Sequence, residues 1–71
     1  MITYIRDTLY VEARCDIAEA ILVAQGLPII WVEDRHGNQS YNEETQERFN
    51  DCYYSAQCLL ENLNIEPEAA R

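Results

Sequence analysis

The chain contains no lysine; all five of its basic residues are arginine. Thirteen acids face them, for a net charge of −8. Direct nucleic-acid binding needs clustered Lys and Arg, and anionic membrane surfaces attract the same residues. Both are excluded as expectations; no direct nucleic-acid contact and no membrane contact are foreseen. A basic partner protein is favoured instead.

Histidine occurs once, at His36, and cysteine three times, at Cys15, Cys52 and Cys58. Structural zinc needs four convergent Cys or His ligands at characteristic spacing. One His and three scattered Cys do not supply them, so no metal is expected. A nucleophile–base pair is equally hard to assemble, and no enzyme is expected. Two glycines cannot build the loops that cradle phosphates or dinucleotides, so no cofactor is expected. The cysteine count is odd and lacks framework spacing. With no basic start before an apolar run at the N-terminus, reduced thiols and a cytoplasmic location are expected. The longest apolar runs, Ala20–Ala24 and Leu27–Val32, are far below the ~20 residues that cross a bilayer.

What remains is a small domain of 71 residues, 48% of them apolar. At this size only about 60% of the unfolded surface is buried on folding, so the core is thin. Both glycines and both prolines fall at breaks between patterned segments. The reading is one domain over residues 1–65, with a frayed tail over 66–71.

Residues 2–13 are rich in β formers: Ile2, Thr3, Tyr4, Ile5, Thr8, Tyr10 and Val11. They read as two strands turning at Arg6-Asp7. The rival reading is one helix from 2 to 25. Asp16, with Glu19 three residues on, reads as a capping box opening a helix over 17–25. Cys15 would then lie at the positive end of that helix, a setting that makes a thiol reactive. Gly26 supplies the helix stop and Pro28 prevents continuation. Residues 29–34 read as a strand, 35–38 as a turn and 39–41 as its return. Asn42 caps a final helix, with Glu43 and Glu44 in its first turn. There Phe49, Cys52, Ala56, Leu59 and Leu63 step by 3, 4, 3 and 4 along one helical face. Cys52 reads as core. The fold class is α+β: a small, mainly antiparallel sheet packed with two helices, in the order β-β-α-β-β-α. A helix-dominated fold with one β-hairpin is the alternative.

Two features point to partners. The first is acidic. Glu44, Glu47 and Asp51 step by 3 and 4 on the last helix, with Glu43 beside them, and Glu33 and Asp34 lie on the preceding hairpin. A rise of about 1.5 Å per residue separates helical neighbours by ~4.5–6 Å, comparable to phosphate spacing. Such a ladder can act as a nucleic-acid mimic. Arg48, four residues after Glu44, has the spacing of an ordinary intrahelical pair. Tyr41 and Tyr54 are candidate anchors, since Tyr buries a large area behind a polar tip. The partner-binding set is therefore Glu33, Asp34, Tyr41, Glu43, Glu44, Glu47, Asp51 and Tyr54.

The second feature is apolar. Segment 17–25 is greasy nearly all round, and 29–32 is apolar on both faces. Each expects cover on more than one side. A second chain, another copy or a partner, would supply it; the self-association candidates are Leu22, Val23, Ile30 and Val32.

The expectation is a non-enzymatic acidic binding protein, a stoichiometric inhibitor or adaptor of a basic, nucleic-acid-handling protein. The alternative is a self-associating structural or accessory subunit, a homodimer in the simplest case. In size and charge the chain is similar to small inhibitors and adaptors, including phage-encoded anti-defence and host-takeover proteins; no motif carries that comparison.

Overall fold

The order along the chain is β1 (Thr3–Ile5), α1 (Asp7–Ala24), β2 (Trp31–Glu33), β3 (Gln39–Tyr41), α2 (Glu43–Asn62) and β4 (Ile65–Pro67), closed by a 3-10 turn over Glu68–Ala70. The computed structural model describes residues 1–71. The architecture is a small α+β fold. Its strands form two separate pairs, β1 with β4 in parallel and β2 with β3 antiparallel.

The helices are antiparallel neighbours. Tyr10, Arg14, Ala18 and Leu22 recur every four residues and turn one flank of α1 toward α2, which answers with Cys52, Ala56 and Leu60. Ala18 and Ala56 are both fully buried and lie in the same four-residue cluster with Leu22 and Cys52. Two alanines at the contact let the backbones approach closely, so the core is narrow. Only seven residues of the chain are buried.

This stripe explains the first correction to the sequence reading. Residues 2–13 hold one strand and the first turns of a helix, not two strands. The β formers Thr3, Tyr4 and Ile5 do form β1. From Asp7 onward, burial of Tyr10 against α2 outweighs the local preference for strand. The helix therefore starts at Asp7, with Arg6 before it making no side-chain cap. Asp16 is an exposed residue in the middle of α1, not an N-cap. Cys15 is also interior to α1 and does not lie at a helix end. The three cysteines are free, and Cys52 lies in the core as its place in the stripe predicts.

The other punctuation holds. Gly26 follows the helix with φ +70, a left-handed conformation that glycine adopts without strain. Asn42 caps α2: its Oδ1 accepts from Thr45 N–H at 2.8 Å. Asn64, at φ 58, ends α2 in the left-handed region that asparagine tolerates.

The second correction concerns the C-terminus. Glu66 and Pro67 are not frayed; they pair with Tyr4 and Ile5 in the parallel ladder. Asp7 Oδ1 also accepts from Ala69 N–H at 2.9 Å. The Arg71 guanidinium lies 5.7 Å from the Tyr4 ring centroid. β4 is too short to signal in a sequence pattern, and the β formers that mark β1 do not reveal its partner. Their pairing becomes available only because the hairpin of helices brings both chain ends together.

Burial pushes the Tyr10 phenol above its ordinary value, and the carboxylates of Glu61 and Glu66 add to this. A phenol whose pKa is raised by folding stabilises the fold below the unfolded value of 10.0. That stability is lost as pH rises through the folded pKa. We expect the wild type to lose stability above about pH 10 and Tyr10→Phe to lose less of it there. Thermal melts at pH 7 and pH 11 check this; equal alkaline losses in the two proteins would refute it.

Candidate functional site

The aromatic residues form one connected row. Trp31 and Tyr41, opposite each other in the β2–β3 ladder, have ring centroids 4.5 Å apart. Tyr41 meets Phe49 at 5.3 Å, and Phe49 stacks on Tyr53 at 5.9 Å. Arg14 closes the row, its guanidinium 3.6 Å from the Tyr53 centroid. The row welds the β2–β3 hairpin to α2. Thr45 Oγ1, fully buried, assists by accepting from Ile30 N–H at 3.2 Å.

This arrangement redistributes the partner-binding candidates. Tyr41 is half-buried inside the row and unavailable as a free anchor; burial raises its phenol pKa, with a smaller push from the Glu19 carboxylate. Asp34 is occupied in the hairpin turn. Its Oδ1 accepts from His36 N–H at 2.8 Å and Asn38 N–H at 3.0 Å, and those bonds, Asn38's first, hold its carboxyl below the usual range. Asp34 therefore shapes the turn, as an Asx residue does. Glu33 is exposed on the same hairpin.

The remaining candidates sit on α2 and divide into two groups. Glu43, Glu47 and Asp51 advance by four residues at a time, about 40° per step, and Tyr54 returns by about 60°. All four fall within a sector of ~80°, directed away from buried Ala56. They span about 16 Å along the axis. Tyr54 is 67% exposed. Glu44 lies on the flank of this stripe, beside a small cavity of about 100 Å³ that it lines with Pro28, Ile30, Thr45 and Arg48.

Arg48 does not neutralise the stripe. Its Nη1 donates to the Pro28 carbonyl and its Nε to Gln25 Oε1 at 3.4 Å; none of its hydrogen bonds goes to Glu44. Arg48 thereby ties α2 to the loop after α1. Arg14 behaves similarly, donating its Nε–H to the Tyr53 carbonyl at 2.8 Å. Arginines that could have paired with surface acids are directed at carbonyls and rings, so the outer carboxylates of α2 stay uncompensated. The sequence spacing of Glu44 and Arg48 could not reveal this, because the competing acceptors come from the loop before the hairpin.

The self-association candidates also separate. Leu22 is 1% exposed and belongs to the core; it is not a surface residue. Val23, Ile30 and Val32 are exposed. Trp31 and Leu27, outside the sequence-derived set, are exposed as well, at 53% and 55%. The apolar runs containing them were visible, but which members would face outward was not.

No three His, Cys, Asp or Glu side chains converge to hold a metal ion. No helix is long and apolar enough to cross a membrane. Fold and site define a small α+β domain with an acidic helix face and an exposed apolar end. Compared with protein-family models, with curated proteins and with solved structures, the chain matches none.

Proposed function

We propose that the protein is a non-enzymatic acidic binding protein that docks a basic, nucleic-acid-handling protein on the outer face of α2 and blocks or modifies it. One observation carries this reading. Glu43, Glu47 and Asp51 form an uncompensated carboxylate ladder that continues directly into exposed Tyr54. The ladder's rise of about 6 Å per step is comparable to backbone phosphate spacing, so a groove built for nucleic acid can accept it. The carboxylates steer the encounter; Tyr54 supplies an aromatic anchor beside them. Glu33 lies outside this ladder, on the hairpin, and contributes only to the field.

Steering of this kind sets the test. Wild type immobilised in a cell lysate should retain a basic protein at low salt and release it at high salt. With the purified pair, the on-rate should fall about tenfold or more as salt rises. Glu47→Arg with Asp51→Arg should abolish retention, since both side chains are exposed and the helix does not depend on them. Retention of the same partner by the double variant, or an on-rate insensitive to salt, would refute the reading.

A further inference from the structure

The shape of the molecule leaves half a core unfinished. Its extents are 45 × 28 × 14 Å, and its radius of gyration is 14.2 Å. A compact domain of this length has a radius near ~11 Å. The two helices lie side by side, and the thin dimension is little more than one helix diameter of about 10–12 Å. Stable domains are normally built from two packed layers around a core. The accessible surface says the same in area. The chain exposes 5359 Å², whereas a folded monomer of 8.3 kDa exposes about 4,600 Å². The excess, roughly 800 Å², equals what one partner buries in a standard interface.

The exposed apolar surface has a shaped centre. An open groove of about 370 Å³ is lined by Glu19, Leu22, Val23, Ile29, Trp31 and Tyr41. Val23, on its wall, is 66% exposed. Leu27 stands out from the loop that joins the α1 and β2 walls. The patch thus carries both a hollow and an apolar ridge. None of the lining residues comes from α2, so the carboxylate ladder lies outside the groove.

We infer that this groove is the interface with a second copy of the same chain, which seats its own Val23 and Leu27 there and completes the core as a two-fold dimer. A two-fold contact needs one self-complementary patch, and a hollow beside an apolar ridge is such a patch. The missing area matches one half of such a dimer. A basic partner is the wrong occupant for a groove with five apolar or aromatic linings and a single carboxylate. The dimer leaves the acidic faces of both α2 helices open, so it stands whether or not the docking proposal does.

Sedimentation equilibrium of the full chain tests this. Interfaces of this area hold at micromolar Kd or tighter, so wild type at tens of micromolar should show twice the chain mass. Val23→Glu should weaken the dimer at least ~30-fold, with an unchanged helical circular dichroism spectrum. Leu27→Glu, in a loop, repeats the test without touching a helix. Glu19→Gln should tighten the dimer by removing a carboxylate from the interface of two negative chains. Added salt should tighten it as well, the reverse of the effect on a basic partner. A wild-type monomer up to ~100 µM, well above a micromolar Kd, would overturn the inference. So would a larger assembly, or undiminished dimerisation of folded Val23→Glu or Leu27→Glu.

Discussion

Leu22→Ala is expected to lower the unfolding free energy by about 3 kcal/mol, within the ~2–5 kcal/mol range for buried leucines. Leu22 is the largest apolar side chain fully buried in the four-residue cluster with Ala18, Cys52 and Ala56. The other three members of that cluster are two alanines and a thiol, too small to fill the space it leaves. A domain of this length is stable by only roughly 4–10 kcal/mol. The substitution therefore removes a large share of the total. Leu9→Ala, on the same helix but half-exposed, should cost about 1 kcal/mol, because only half of that side chain leaves water on folding. Urea denaturation of the two variants side by side separates burial from composition. Equal losses would mean that the core lies elsewhere.

The second large effect is expected at Arg14, which joins the helices from the polar side. Its Nε–H meets the Tyr53 carbonyl, and its guanidinium covers the Tyr53 ring. A hydrogen bond involving a charged group contributes about 1.5–3 kcal/mol. A cation over a ring adds roughly 0.5–1 kcal/mol in a partly exposed setting. We expect Arg14→Ala to cost about 2 kcal/mol once solvent compensation is counted. Arg14→Lys should recover under half of it, since lysine keeps the charge but not the planar donor that stacks and bonds at once. Denaturant titration of the three proteins checks both points. A lysine variant as stable as wild type would show that charge alone matters there.

These two residues mark where sequence reading succeeds and fails. Cys52 and Ala56 were legible as core because α2 is amphipathic: its apolar positions step by 3 and 4, and its other faces are polar. Leu22 was not, because α1 is apolar on several sides. On such a helix periodicity cannot say which side faces in, and the apolar pattern alone places Leu22 outward. Arg14 carried no pattern at all. Its role depends on Tyr53, 39 residues away. On the acidic side, Glu43, Glu47 and Asp51 could be placed on one helix face by counting. The occupation of Asp34 in its turn could in principle have been foreseen, since an aspartate followed at two and four residues by free N–H groups is an Asx signal. The burial of Tyr41 could not, because Phe49 reaches it only after the hairpin folds back.

The sequence by itself determined the α+β class, the cap at Asn42, the left-handed stop at Gly26, the hairpin around Gly37 and the Cys52–Ala56 part of the core stripe of α2. Each rests on interactions within a few residues or on one periodicity, and such interactions are complete in the local chain. Leu59 and Leu63, which the spacing of 3 and 4 puts on that stripe, are exposed, and Leu60 is buried instead. The tertiary structure alone decided that Tyr10 lies in a helix rather than a strand, that β1 finds β4, that Arg48 turns from Glu44 to the Pro28 carbonyl, and that Val23 faces outward while Leu22 faces inward. In each of these, two local options differ by about a kilocalorie per mole or less. Burial against a distant segment is larger than that difference, and it decides the outcome.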